Sequence, residues 1–121
     1  MQASRVLILE DEFFVALDLE LIVQTHLPAA QVVHCTSVAE AQAALQEPVG
    51  LALLDIDVLD GKSFPLAKAL DEQGTPFAFV SSSRPDEVPS HLAHVPFISK
   101  PFAAPLIQQT LQQIMTRAEP R

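Results

Sequence analysis

The sequence predicts an α/β fold, a three-layer sandwich with helices on both faces of a five-stranded parallel sheet. Three observations carry this. Short apolar runs recur along the chain at 5–9, 31–35, 51–54, 77–80 and 95–99. Runs such as LALL at 51–54 lack polar alternation, which suits strands covered on both faces. Helical patterns or polar turns follow each run, and right-handed crossovers then bring every strand's carboxyl end to one edge.

The 121 residues suffice for one domain, 1–121, with only 117–121 read as a loose tail. Hydrophobic residues make up 49%, which argues against disorder. Seven Lys and Arg stand against 15 Asp and Glu, a formal charge of −8. That excludes the basic footprint needed to hold nucleic acid or an anionic membrane, but leaves a basic protein partner open. Cys35 is the single cysteine, so no internal disulfide forms, which fits a reducing cytoplasm. Glu10, Asp11 and Glu12 interrupt the first apolar run too early for a secretory leader. No apolar stretch approaches the roughly 20 residues of a membrane span.

In order, residues 5–9 (RVLIL) read as a buried strand ending in Glu10-Asp11-Glu12. Residues 13–27 read as a helix whose apolar face includes Phe13, Leu17 and Leu21, with Val15, Leu19 and Ile22 beside them. Asp18 and Glu20 fall on its exposed side, and Pro28 stops it. Residues 31–35 (QVVHC) form the second strand; His34 and Cys35 have no partners at metal-ligand spacing. Ser37 caps the next helix, with Glu40 three positions later in a capping-box pattern, and Glu47-Pro48 ends it. The third strand enters LALLDIDVLD and closes on an Asp60-Gly61 turn. A helix over 62–73 stops at Gly74. The fourth strand, 77–80, runs into Ser81, Ser82 and Ser83; the proline-interrupted 84–94 reads as a short helix or loop. The fifth strand, 95–99, meets Lys100-Pro101-Phe102. The last helix, 105–117, carries Leu106, Ile107, Leu111, Ile114 and Met115 on one stripe and four glutamines on the other.

Taken alone, Asp55 reads equally as a strand-ending cap or as a nucleophile or metal ligand. Glu10-Asp11-Glu12 reads as solvated carboxylates at a helix start or as the shell of a divalent cation. The strand ends together say more. Glu10 and Asp11, then Asp55, then Ser81, then Lys100 converge on one sheet edge. Carboxylates there suit Mg²⁺, while a hydroxyl and an ammonium suit phosphoryl oxygens. The pattern reads as an aspartate that accepts a phosphoryl group: Asp55 attacks, Asp11 and Asp55 hold Mg²⁺ with a backbone carbonyl, and Lys100 and Ser81 bind the new oxygens.

With these residues the chain resembles, over essentially its whole length, the receiver domain of two-component response regulators. The resemblance rests on Glu10-Asp11, Asp55, Ser81 and Lys100-Pro101-Phe102. It implies a flavodoxin-like strand order, 2-1-3-4-5. It implies Asp55 as phosphoacceptor, Asp11 as the main Mg²⁺ ligand, Glu10 acting through water and the carbonyl of Asp57 as a further ligand. It implies Ser81 as a hydroxyl that swings to the phosphate, Lys100 as the phosphate's ion pair, a cis Lys100-Pro101 peptide, and Phe97 at an aromatic switch position. A histidine kinase or a phosphotransfer protein would be the donor. A single-domain response regulator of this kind is not a turnover enzyme; it signals by protein contact, through its fourth helix, fifth strand and fifth helix. A homodimer is among the partners this reading allows.

The pattern departs from the family in three places. Gly61 follows Asp55 by six positions, two fewer than is common, and the usual proline is missing. Asp57 adds a carboxylate near the phosphoacceptor, which should raise repulsion there. Ser82 stands where a small residue gates the site. A short loop with an aromatic-rich fourth strand is similar to stand-alone receivers of alphaproteobacteria, some tied to stress signalling. Two other readings compete. DIDV also resembles the nucleophile motif of haloacid-dehalogenase-type phosphatases, with Asp57 as acid/base, although that motif normally opens its domain. A pseudo-receiver that never takes phosphate would act by contact alone.

Overall fold

The structure is a computed structural model that describes residues 5–118. Of the tail expected at 117–121, positions 117 and 118 continue the last helix, and the remainder lies outside the described residues. Five strands form one sheet: β1 (Arg5–Leu9), β2 (Gln31–Cys35), β3 (Leu51–Leu54), β4 (Phe77–Ser81) and β5 (Phe97–Ser99). All pair in parallel, in the order β2-β1-β3-β4-β5, as the resemblance implied. Four helices flank the sheet: α1 (Phe13–His26), α2 (Val38–Ala44) and α3 (Phe64–Glu72) are crossovers, and α4 (Ala104–Ala118) follows β5.

The sheet divides the core by residue parity, because successive side chains in a strand face opposite sides. Leu7, Leu9, Ala52, Leu54, Phe77 and Phe79 pack against Ala41 of α2 and Leu66, Ala67 and Leu70 of α3. Val6, Ile8, Leu51, Leu53, Ala78, Val80 and Ile98 pack against Leu19, Ile22 and Val23 of α1 and Ile107, Leu111 and Ile114 of α4. β1, β3 and β4 are buried on both faces, which is why their sequences lack alternation. The cores thus form the three expected layers.

Three expectations are corrected or narrowed. First, only part of the apolar face assigned to α1 is buried: Leu19 and Ile22 are, Phe13, Leu17 and Leu21 are not. Ala16, Leu19, Ile22 and Val23 are buried, while Phe13, Leu17 and Leu21 are 65%, 51% and 65% exposed and Phe14 is 81% exposed. This helix is apolar nearly all round, so its period selects no face; contact with the sheet and α4 makes the choice. Leu106, expected in the buried stripe of α4, is also exposed. Second, the fourth crossover, expected as a short helix or loop, is two 3₁₀ turns, Pro85–Glu87 and Ser90–Leu92. Pro89, in the middle of the segment, lacks the N–H that a continuous α-helical ladder would need there. Third, the helix expected from Lys62 starts at Phe64, because Asp57–Val58 and Gly61–Lys62 pair as an antiparallel hairpin. Gly61 turns it at φ +127°, where a side chain would be strained.

Hydrogen bonds hold the hairpin between its neighbours. Asp60 accepts from the N–H groups of Val38 (2.7 Å) and Ala39 (3.1 Å), adding to the Ser37 cap of α2. Those bonds hold the Asp60 carboxyl below its usual pKa. Glu40 does not close the capping box on Ser37; its Oε1 accepts from Thr36 N–H (2.8 Å) and Thr36 O–H (2.6 Å). Ser37 Oγ does accept from Glu40 N–H at 3.1 Å, so its capping role stands.

Candidate functional site at the carboxyl edge of the sheet

The parallel register delivers the polar residues to one place. Glu10, Asp55 and Lys100 are the first residues beyond β1, β3 and β5, and Ser81 is the last of β4. Each flanking residue adds one rung to the ladder: Glu10 N–H donates to Cys35 O (2.9 Å), Asp55 N–H to Leu9 O (2.9 Å) and Lys100 N–H to Ser81 O (3.0 Å). Ser81 is buried, and its Oγ accepts from Ser83 N–H at 3.2 Å. The Lys100-Pro101 peptide is cis, as expected.

Lys100 is the hub. Its Nζ lies 2.7 Å from Glu10 Oε1, 2.9 Å from Asp55 Oδ2 and 3.2 Å from Glu12 Oε1. Burial alone would lower the ammonium's pKa, but the bonds to Glu10 and Asp55 overcome it and push the value up. Burial raises the pKa of Glu10, against the Lys100 bond and the Glu12 N–H that its Oε2 accepts at 3.0 Å. Asp55 is almost covered; Ile56 N–H donates to its Oδ1 at 2.7 Å and fixes its rotamer.

Glu10, Asp11 and Asp55 bring carboxylate oxygens within 4.8 Å of one another. With Glu12 beside them, four carboxylates share one ammonium, which pairs directly with Glu10, Glu12 and Asp55. Glu10 Oε1, fully buried, meets Lys100 Nζ at 2.7 Å as an ion pair. One ammonium does not neutralise this cluster of hard oxygen donors, and its excess negative charge fits a small divalent cation.

Asp57 stands apart from this triad. Its Oδ1 pairs with Lys62 Nζ at 2.7 Å, and its Oδ2 accepts from Ser83 Oγ at 2.9 Å. The Lys62 bond chiefly, then Ser83, lowers the Asp57 pKa. The added repulsion expected from Asp57 is therefore met locally by Lys62. Phe97 is half-buried, its ring 6.4 Å from that of Phe79.

Several residues at the site escaped the sequence reading. Ser63, fully buried, donates from Oγ to the carbonyl of Asp55 at 2.7 Å, and nothing in its local pattern signals this. Glu12 joins the Lys100 cluster, for which the run of three acids was the available signal. His34, examined as a metal ligand, instead reaches the carbonyl of Glu10. Beside the site, Glu12, Phe14, Asp18, Ser82, Lys100 and Phe102 line a groove of about 520 Å³. It connects the exposed face of α1 to Lys100.

No family model and no curated sequence matches the chain, but solved structures do. The receiver domain of the PhyR response regulator from Erythrobacter litoralis superposes with a TM-score of 0.82 at 24% identity, over 96% of this chain and 92% of that one. A CheY-like response regulator receiver domain protein from Methanospirillum hungatei JF-1 gives 0.81 at 22% identity, over 97% of each chain. The PhyR stress response regulator gives 0.77 at 26% identity, over 99% of this chain and 48% of that one. The chain has the fold of response regulator receiver domains. Among the described residues, no helix is long and apolar enough to cross a membrane.

Proposed function

We propose that this receiver-fold chain is a single-domain response regulator that takes a phosphoryl group on Asp55. One observation carries the reading: a nearly buried aspartate at a strand end, 2.9 Å from Lys100 and grouped with Glu10 and Asp11. Asp11 and Asp55 would hold Mg²⁺, with the carbonyl of Asp57 and, through water, Glu10. The ion would supply positive charge against the phosphoryl oxygens.

A carboxylate oxygen of Asp55 forms the new P–O bond while the P–N bond of a phosphohistidine breaks, and the donor's imidazole keeps the electron pair. Ile56 N–H holds the carboxylate in one orientation for this attack. Lys100 exchanges a carboxylate for the arriving phosphoryl oxygens and balances their charge. The Ser81 hydroxyl then leaves Ser83 N–H and donates to the phosphate, and Phe97 turns inward against Phe79. The chain is phosphorylated once per signal and turns over no external substrate.

The donor is a histidine kinase or phosphotransfer protein, docking on Phe13, Phe14, Leu17 and Leu21 beside the groove that opens on Lys100. Output leaves by protein contact through the 84–94 turns, β5 and α4, in a cytoplasmic setting; a homodimer through this output face is the alternative to a separate target. The charge of −8 favours neither nucleic acid nor membrane as partner.

A second reading, a pseudo-receiver, draws on the short hairpin of 57–62, which carries the Asp57 carbonyl that the cation site would need. The phosphatase reading loses support because its acid/base would be the Asp57 carboxylate, which is committed to Lys62 and Ser83. Intact-mass measurement after acetyl phosphate and Mg²⁺ decides between the first two. A gain of one phosphoryl group, lost in Asp55→Asn and without Mg²⁺, supports phosphorylation. No gain, or a gain retained in Asp55→Asn, overturns it.

A further inference from the structure

We infer that His34 is a positioning residue for the cation site, acting through the backbone of the loop that carries Asp11. Its Nε2 lies 2.7 Å from the carbonyl oxygen of Glu10. A carbonyl only accepts, so Nε2 carries the proton and donates. Glu10 N–H already donates to Cys35 O at 2.9 Å. The end of β2 therefore grips Glu10 by both of its backbone polar groups. The Glu10 carbonyl and the Asp11 N–H belong to one rigid peptide plane. Fixing that carbonyl fixes the direction in which Asp11 leaves the strand. No hydrogen bond to the Asp11 carboxylate exists among the described residues, so the pinned plane that places the Asp11 backbone is the restraint on where that side chain starts. Ser63 holds the carbonyl of Asp55 at 2.7 Å, pinning the plane that follows that residue. A side chain thus pins a peptide plane adjoining each of Asp11 and Asp55, as outer-shell partners pin the ligands of metal sites.

The inference rests on the cation reading of Glu10, Asp11 and Asp55, and calorimetric titration with Mg²⁺ alone separates the two. Wild type, Asp11→Asn, His34→Leu and His34→Gln are compared. His34→Leu, which keeps bulk and loses the donor, should weaken Mg²⁺ binding about tenfold. His34→Gln, whose amide nitrogen reaches the same position, should restore affinity to within about threefold of wild type, a rescue that a purely packing role would not give. Equal Mg²⁺ uptake by wild type and Asp11→Asn overturns the cation reading itself. Loss in Asp11→Asn with wild-type affinity in His34→Leu overturns the role of His34 alone. Should His34→Leu fail to fold, nitrogen-15 spectra of the wild-type ring serve instead. An Nε2–H tautomer whose signals move on Mg²⁺ addition supports the inference, and a ring protonated on Nδ1 alone overturns it.

Discussion

Lys100 Nζ sits 2.9 Å from Asp55 Oδ2, although the strands that deliver these residues, β5 and β3, are separated in the sheet by β4. The same ammonium lies 2.7 Å from the fully buried Glu10. Removing it leaves buried negative charge uncompensated, which costs far more than the pair itself contributes. Lys100→Met should lower unfolding free energy by about 3 kcal/mol in urea titrations. Mg²⁺ should recover part of that loss, because a cation at the carboxylates replaces the missing charge.

The two faces of α1 should separate stability from docking. Leu19 is buried in the core, so Leu19→Ala should cost about 3 kcal/mol. Phe14→Ala and Leu17→Ala alter exposed positions and should change stability by no more than about 0.5 kcal/mol. If the exposed face receives the donor, these two variants slow transfer from a phosphotransfer domain about tenfold or more. Labelling by acetyl phosphate should stay at the wild-type rate. Equal slowing with both donors would place the defect in the site rather than at the docking face.

Ser83 ties the loop after β4 to the hairpin through Asp57, at 2.9 Å. The contact is exposed, so its coupling is small. A double-mutant cycle of Asp57→Ala and Ser83→Ala should return about 0.5 kcal/mol. Amide exchange over 81–87 should quicken in either variant. If the loop carries the switch, this tether sets how readily Ser81 is released.

Acid should weaken the rim of the site. Thr36 holds the Glu40 carboxyl below its ordinary value of 4.5, and Lys62 and the Val38 N–H hold Asp57 and Asp60 below 3.8. Each group binds fewer protons folded than unfolded in its window, so its stabilisation is full above the ordinary value and is lost as pH falls through the folded one. Urea midpoints should drop as pH falls through this range. Asp60→Asn should flatten the lower part of that slope, and an unchanged slope would show that the cap contributes nothing.

Much of this molecule was legible in its sequence. Doubly buried strands need unbroken apolar runs, so β1 and β3 could be read directly, and parallel crossovers oblige their ends to share an edge. That rule alone brought Glu10, Asp11, Asp55, Ser81 and Lys100 together. The face that α1 buries was not legible, because a helix apolar on every side leaves the choice to its neighbours. Nor was the hairpin over 57–62, where cross-strand pairing outweighed the helical start expected at Lys62. His34 holds a carbonyl 24 residues away and Ser63 one across the intervening hairpin, and no local pattern encodes such bonds. Sequence determined which chemistry-bearing groups meet, since strand direction and residue type are local properties. Only the tertiary structure decided how each group is aimed, which charges are paired and which apolar surface remains uncovered, because those depend on contacts between elements.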